Sequence, residues 1–189
     1  MAAPLLLTLG YGKRSIDEAI TLLRQHDIAF LADLRSAPYS RYHADFSHDA
    51  LKRHLTGHDI TYLYLGEELG GRPREPSCYD AQGRVDYVVC RQRPAFRQGI
   101  DRLRTAWEGG HRVALLCSEA RPEECHRSKL VGAALAEEGI EVLHLDEDGS
   151  PLTQAEVMAR LEHGQMSLFA DLAPAEATRS RGRYVAPEE

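Results

Sequence analysis

The sequence has few of the features that mark membrane or secreted proteins. No apolar run approaches the roughly 20 residues that a membrane-spanning helix requires, so we expect no membrane contact. The first residues carry no basic segment ahead of their short apolar run, which predicts an opening strand rather than a signal peptide. Only 4 cysteines occur among 189 residues, too few for a disulfide scaffold. We therefore expect a cytoplasmic protein whose cysteines are reduced and available for chemistry.

Basic residues are also fewer than acidic residues, with 23 lysines and arginines and 29 aspartates and glutamates, so the net charge is −6. This balance argues against a protein that coats nucleic acid by charge alone. The charge is unevenly spread, because residues 72–104 hold eight arginines and four acids whereas residues 134–176 hold one arginine and ten acids. The first stretch would attract an anionic ligand, although both are also typical of solvated helix faces.

Short apolar runs alternate with helical patterns along most of the chain. Ser15 and Glu18 form a capping box ahead of the first helical pattern, and a later helix is predicted over residues 128–138. The alternation predicts a three-layer α/β fold over residues 1–163, with a mainly parallel sheet and helices on both faces. Residues 164–189 are predicted to form a flexible tail. The predicted strands cover residues 5–9, 30–34, 61–65, 113–117 and 141–145.

The segments that follow these strands are rich in glycine, charged residues and cysteine. Ligands of open parallel sheets bind beyond the carboxyl ends of the strands, where these segments should meet. A common site is therefore predicted at one edge of the sheet. Its substrate-binding candidates follow the first two strands and are Gly10, Tyr11, Asp33, Arg35, Ser40 and Arg41.

Asp33 and Arg35 also have a second interpretation, as a structural ion pair that fixes their own loop. This is the commoner use of such a pair. Arg35 together with Arg41 could instead hold a phosphate or carboxylate group.

The segment after the fourth strand carries the most chemistry. Backbone amides at a helix N-terminus and cationic neighbours stabilise a thiolate, so Cys117 is the candidate nucleophile. Glu119 or His126 could transfer protons, and Arg127 could bind an anion. The alternatives are a buried structural cysteine, a metal site with Cys125 and His126, and a Cys117–Cys125 redox pair. We assign no metal, because a second close pair of ligands is missing, and the cofactor stays undetermined.

Several separated motifs resemble one known family. They are Thr8-Leu9-Gly10-Tyr11-Gly12, Asp33-Leu34-Arg35-Ser36 with Pro38 and Ser40-Arg41, Phe46, Leu65-Gly66 with Leu69-Gly70-Gly71, and Leu116-Cys117 with Glu119 and Cys125-His126-Arg127. In this order, across residues 5–146, they resemble the family called domain of unknown function 488. The resemblance implies a shared fold and a site at these motifs but brings no established reaction. Tyr11 is a departure, since many members have His there.

A weaker likeness is to rhodanese and cysteine-phosphatase domains, which also place Asp-x-Arg after one strand and a cysteine loop after another. The loop from Cys117 to Arg127 is longer than the phosphatase Cys-x5-Arg loop. This likeness is therefore an analogy.

The predicted tail carries a second resemblance, in the pentapeptide Gln165-Met166-Ser167-Leu168-Phe169. It is similar to the motif by which bacterial replication and repair factors bind the DNA polymerase sliding clamp. A mobile segment that inserts Leu168 and Phe169 into an apolar pocket is a sensible mode of peptide recognition. The alternative is that these side chains dock on the domain's own surface. Tethering would also lower the DNA affinity that the domain itself needs, in keeping with its net negative charge.

Together these features favour a bacterial enzyme that acts on nucleic acid or a nucleotide-like anionic substrate in DNA repair or replication. It would be a cysteine-dependent hydrolase or transferase. One alternative is a non-catalytic adaptor that is recruited to the sliding clamp, in which the cysteine loop is structural. Another is a rhodanese-like sulfur transferase, which would carry a persulfide on Cys117.

Overall fold

The computed structural model describes residues 5–163 and 177–185. The strands of these ranges are β1 Leu5–Gly10, β2 Phe30–Asp33, β3 Thr61–Tyr64, β4 Arg112–Cys117, β5 Val142–Leu145 and β6 Pro151–Thr153. They form one sheet in the order β3-β2-β4-β1-β5-β6. The first five strands pair in parallel, whereas β6 is antiparallel to β5 at the edge of the sheet.

Seven α-helices accompany the sheet in the described ranges. They are α1 Ile16–Gln25, α2 His48–Thr56, α3 Gly66–Leu69, α4 Tyr87–Cys90, α5 Pro94–Glu108, α6 Ala133–Glu137 and α7 Gln154–His163. A π-helical segment, Arg127–Gly132, leads directly into α6. The expected capping box opens α1, because the Ser15 hydroxyl accepts from Glu18 N and the Glu18 carboxylate accepts from Ser15 N.

Helices bury both faces of the sheet. Successive residues of a strand point to opposite faces, so Leu115 belongs to one core cluster and Leu116 to the other. On the Leu116 face, α1 and α2 contribute apolar side chains such as Ile20 and Leu55. On the Leu115 face, α5 and the π-helical segment contribute residues such as Ile100. The three-layer α/β fold with a mainly parallel sheet is thereby confirmed.

Several elements differ from the sequence pattern, among them β6 and the helix that follows the cysteine loop. The edge strand β6 was not predicted, because three residues that begin with Pro151 are too few to show a period of two. The helix expected over residues 128–138 is present, but its first six residues, Arg127–Gly132, are π-helical rather than α-helical. A π-helical turn inserts an extra residue per turn and is common next to functional sites.

Part of the predicted flexible tail packs on the domain. The backbone N–H of Ser180 donates to Val85 O at 2.9 Å, and Val85 N donates to the Ser180 hydroxyl at 2.8 Å. The flexible-tail prediction therefore needs correction for residues 177–185, because buried backbone groups near Val85 need partners and this segment supplies them. The pentapeptide 165–169 lies outside the described residues. Among the helices that are described, none is both long and apolar enough to cross a membrane.

Candidate active site

A cleft opens where the carboxyl ends of β1, β2 and β4 meet. Its volume is about 550 Å³, within the ~300–1,000 Å³ of small-molecule sites. The strand-end segments contribute Tyr11, Arg35 and Cys117, and further lining residues are Gly71, Arg72, Ser180, Arg181, Gly182 and Tyr184. The site thus lies at the sheet edge where an open parallel sheet binds its ligands.

Four functional groups converge on one side of this cleft. The sulfur atoms of Cys117 and Cys125 are 3.0 Å apart. Glu119 Oε2 lies 3.0 Å from Cys117 Sγ and 3.3 Å from Cys125 Sγ. His126 Nδ1 lies 3.6 Å from Cys117 Sγ and 3.8 Å from Cys125 Sγ. Each sulfur therefore contacts the other sulfur, a carboxylate and an imidazole.

This environment gives the two thiols different pKa values. A hydrogen bond from Cys125 and the positive charge of His126 lower the pKa of Cys117 to about 6, although burial and the Glu119 carboxylate oppose the shift. Burial raises the pKa of Cys125 well above its usual value, and the neighbouring Cys117 sulfur raises it further. At neutral pH Cys117 is therefore the thiolate, and Cys125 is the thiol that donates to it.

The neighbouring acid and base complete the arrangement. Burial disfavours the Glu119 carboxylate, but while Cys117 is still a thiol its hydrogen bond to Glu119 and the charge of His126 outweigh burial and lower the pKa of Glu119 to about 2. Burial likewise disfavours the His126 imidazolium, but the adjacent Cys117 sulfur outweighs it, so the pKa of His126 is raised. The cluster therefore favours a Cys117 thiolate beside the His126 imidazolium, with the Glu119 carboxyl group in contact with the sulfur. Such a pair can attack an electrophile and protonate a leaving group.

The end of β1 holds the cysteine loop in place. Beyond the strand, Tyr11 N donates to Cys117 O at 3.1 Å and Gly12 N donates to Ser118 O at 2.9 Å. Gly10 packs so closely that a Cβ there would lie 1.7 Å from the backbone oxygen of Glu119. Only glycine permits this approach. Gly10 therefore positions the cysteine loop.

Arg127 is placed differently from our expectation of an anion-binding residue. Its side chain is fully buried and is not among the described residues that line the cleft. Its Nη2 donates to Ala120 O at 2.8 Å and to Leu145 O at 3.2 Å. The guanidinium thereby ties the cysteine loop to the end of β5. Arg127 is a positioning residue for Cys117 and Cys125.

Asp33 and Arg35 form an ion pair, which was one of the two interpretations that the sequence allowed for them. Arg35 Nε and Nη2 donate to the two Asp33 oxygens at 2.8 Å and 2.6 Å, and Nη2 also donates to Phe46 O at 2.7 Å. The Tyr62 hydroxyl donates to Asp33 at 2.9 Å. Arg35 nevertheless lines the cleft, and its buried Nη1 has no hydrogen-bond partner among the described residues. The pair is structural, and Arg35 retains one donor for a ligand.

Of the remaining substrate-binding candidates, Tyr11 and Ser40 stabilise the loop after β2, whereas Arg41 is exposed on the surface. Tyr11 lines the cleft and stacks on Phe46 with ring centroids 4.3 Å apart. Its hydroxyl donates to the Ser40 hydroxyl at 3.4 Å, and Ser40 also accepts from His43 N at 3.1 Å. Ser40 therefore stabilises the loop after β2. Arg41 is exposed and lies over the ring of Tyr42 at 5.9 Å.

Several residues that line the cleft were not among the site residues predicted from the sequence. Tyr39, Arg72 and Tyr87 line the cleft, as do Arg181 and Tyr184 of the C-terminal segment. Tyr39 and Arg72 follow the second and third strands, so their strand-end position could have singled them out. The C-terminal residues carry no such signal, because 63 positions separate Cys117 from Ser180 and only packing joins them.

The arginine-rich stretch 72–104 contributes little charge to the site. Arg72 is the one arginine of this stretch among the described lining residues of the cleft. Most of the others pair with carboxylates, as Arg84 does with Asp80 at 3.2 Å and Arg102 with Glu68 at 2.7 Å. The charge excess of this stretch is therefore largely neutralised on the helix surfaces.

The cluster also offers metal ligands. The ligating atoms of Cys117, Cys125 and His126 all lie within 4.8 Å of one another. Two thiolates on a tetrahedral zinc ion, with Zn–S bonds near 2.3 Å, lie about 3.8 Å apart. The observed 3.0 Å separation fits a thiol–thiolate contact better, and the sulfurs would need to move apart to hold a zinc ion.

Comparison with known proteins gives one result. No curated protein and no solved structure matches the chain. The family model for "Domain of unknown function DUF488" matches residues 15–134. These residues extend from the capping box of α1, through the Asp33–Arg35 pair and the whole Cys117 cluster, to the start of α6. The chain therefore belongs to the DUF488 family.

Proposed function

We propose that this protein is an enzyme that acts on nucleic acid or a nucleotide-like anionic substrate, with Cys117 as its nucleophile. One observation carries the proposal. Cys117 lines the cleft, and its sulfur lies 3.6 Å from His126 Nδ1 in surroundings that favour the thiolate. The donor Nη1 of Arg35 is available in the same cleft.

The reaction class follows from these groups. The Cys117 thiolate forms a covalent bond to an electrophilic phosphorus or carbon atom, and the His126 imidazolium gives its proton to the departing group. Arg35 binds the anionic part of the substrate. The carried group then passes to water or to a second acceptor, which makes the enzyme a hydrolase or a transferase.

The proposed setting is DNA repair or replication. Its support is the sequence Gln165-Met166-Ser167-Leu168-Phe169, which is similar to sliding-clamp-binding motifs. Recruitment by such a segment raises the local concentration of the domain at DNA. A non-catalytic clamp adaptor and a rhodanese-like sulfur transferase remain the competing proposals for the same chain.

Thiol labelling combined with elemental analysis of the purified protein tests these proposals. We expect iodoacetamide to modify Cys117 at neutral pH much faster than Cys78 and Cys90, because burial raises the pKa of both of those thiols. Peptide mapping by mass spectrometry assigns the label. A persulfide on Cys117 favours the sulfur transferase, and uniform inertness of the thiols favours the adaptor.

A metal centre is the second candidate that a specific observation favours. The grouping of Cys117, Cys125 and His126 would then hold a thiophilic ion. Stoichiometric zinc in the purified protein, with Cys117 protected until a chelator is added, would replace the free nucleophile by a metal-bound thiolate. If the purified protein contains no metal and Cys117 is labelled rapidly, Cys117 stays the proposed nucleophile.

A further inference from the structure

The loop after β2 exposes two aromatic side chains beside the cleft. Tyr39 and Tyr42 are 72% and 86% exposed, so neither ring contributes to the core. Tyr39 lines the cleft, and Tyr42 follows three residues later. The loop also carries Tyr11's partners Ser40 and His43, which fix it to the domain. Exposed rings on an anchored loop indicate a ligand that uses aromatic faces.

Arginines lie next to aromatic rings of this loop and of the C-terminal segment. Arg72 Cζ lies 4.1 Å from the ring centroid of Tyr184, and Arg41 lies over Tyr42. Arg41, Arg72 and Arg183 are exposed, and within the described ranges none of them pairs with a carboxylate. Arg181 differs, because Glu124 neutralises it at 2.5 Å. The mouth of the cleft therefore combines free positive charge with aromatic surface.

We propose that this mouth, lined by Tyr39, Arg72 and Tyr184 and extended by their sequence neighbours Arg41, Tyr42 and Arg183, binds single-stranded nucleic acid. Bases stack on the exposed tyrosines, and the arginines hold the phosphates. The inference rests on the proposed function, since it names the substrate class of the same cleft. Proteins that bind single strands use this combination of aromatic faces and cationic groups. A duplex keeps its bases stacked within the helix and cannot use the tyrosine faces.

Arg35 provides an independent observation inside the cleft. Its side chain is 5% exposed, yet Nη1 has no hydrogen-bond partner among the described residues. A buried donor of this kind is costly unless a ligand satisfies it. A phosphate oxygen of the strand, placed in the cleft next to Cys117, would accept from it.

Fluorescence anisotropy with a labelled oligothymidylate of about 12 nucleotides, a length within the site sizes of single-strand binders, tests the inference on the full-length protein. We expect the oligonucleotide to bind, an unlabelled single strand to compete, and a duplex hairpin or polyphosphate of equal charge to compete at least tenfold less well. Equal competition by polyphosphate would show attraction by charge alone and would overturn the stacking role. Failure of the oligonucleotide to bind at low salt would overturn the inference altogether.

Matched variants distinguish the contribution of aromatic stacking to oligonucleotide affinity from the contribution of charge. The double change Tyr39→Ala and Tyr42→Ala should weaken binding at least tenfold, whereas Tyr39→Phe with Tyr42→Phe should retain it, because phenylalanine keeps the aromatic faces. Arg72→Ala with Arg183→Ala should weaken binding and flatten its salt dependence. Arg53→Ala with Arg97→Ala, at exposed positions on α2 and α5, is the control and should have no effect. Equal affinities of the alanine and phenylalanine pairs would contradict the proposed contacts.

Two measurements on the unaltered protein distinguish this inference from the proposed function. Bound oligonucleotide should slow alkylation of Cys117, since both use one cleft, and unchanged alkylation at saturation would overturn this placement. A rapidly alkylated Cys117 without oligonucleotide binding overturns only the present inference. Oligonucleotide binding with an inert Cys117 supports the inference and overturns the nucleophile.

Discussion

His144 is a buried polar side chain in β5 whose two ring nitrogens both have partners. Nδ1 lies 2.8 Å from the Thr8 hydroxyl, and Nε2 lies 2.7 Å from Gln154 Oε1. The Gln154 amide nitrogen donates to Ser128 O at 3.1 Å, which turns Oε1 towards the ring. Nε2 must therefore donate, and Nδ1 accepts from the Thr8 hydroxyl. The neutral imidazole satisfies the whole network, and it connects the sheet to α7 and the π-helical segment.

This network predicts an acid-labile fold. Burial, together with the charge of Arg127, lowers the pKa of His144 to about 4, whereas the unfolded chain has an ordinary value near 6.5. Between these values the unfolded state binds the extra proton, so the free energy of unfolding falls as the pH falls from 6.5 to 4. The expected loss is about 3 kcal/mol. It is measured by urea unfolding at several pH values.

The variant His144→Gln provides the comparison, because it removes the titrating imidazole and leaves every carboxyl group unchanged. Its unfolding free energy should depend less steeply on pH between 6.5 and 4 than that of the unaltered protein. Parallel pH curves for the two proteins would contradict the assignment.

A second prediction concerns the effect of Cys125 on the acidity of Cys117. The variant Cys125→Ala removes the hydrogen bond that contributes most to lowering the pKa of Cys117. The midpoint of the pH profile for Cys117 alkylation should therefore move up from about 6. Cys90→Ala is a control, since Cys90 lies in the core away from the cleft. An unshifted midpoint in Cys125→Ala would show that His126 alone sets the acidity.

At the scale of elements, the end of β1 and the cysteine loop act as one unit. Gly10→Ala should destabilise the protein by more than about 3 kcal/mol, because the new Cβ would lie 1.7 Å from Glu119 O and the loop backbone must move. Alkylation of Cys117 should slow at the same time. Thermal unfolding and labelling measure the two effects.

Gly57→Ala is the matched control at the end of α2. Gly57 has a helical φ of −65°, and a Cβ there would meet its first neighbour at 3.4 Å. The unfolding free energy should change by no more than about 0.5 kcal/mol. Similar losses in both alanine variants would point to a general cost of replacing glycine rather than to the close approach at Gly10.

At the scale of the whole molecule, the pentapeptide predicts an interaction with a partner protein. The segment Gln165-Met166-Ser167-Leu168-Phe169 should bind the bacterial sliding clamp with micromolar affinity, roughly −8 kcal/mol. Leu168→Ala with Phe169→Ala should abolish binding, since two anchors at about 2 kcal/mol or more each exceed what so weak a contact can lose. Surface plasmon resonance measures binding.

The same double variant separates recruitment from packing. An unchanged melting temperature is expected for a segment that binds only the clamp. A clear fall in melting temperature, together with no clamp binding by the unaltered protein, would remove the main support for a role in DNA repair or replication.

The sequence by itself determined the α/β layers and the position of the cysteine loop. The alternation of apolar runs and helical patterns is a local property, so β1 to β5 and the α1 capping box could be predicted from neighbouring residues. The motifs around Asp33 and Cys117 are likewise short stretches of sequence that resemble one family, and the family match agrees.

Only the tertiary structure decided which side chains share the cleft. Arg127 follows His126 directly, yet it points into the interior to bind Leu145 O, while Arg181 arrives from the far end of the chain. The 3.0 Å contact between the sulfurs of Cys117 and Cys125 is equally invisible in their spacing. Such contacts depend on how the chain closes on itself, because packing density and the need to satisfy buried polar groups act between residues that are distant in sequence.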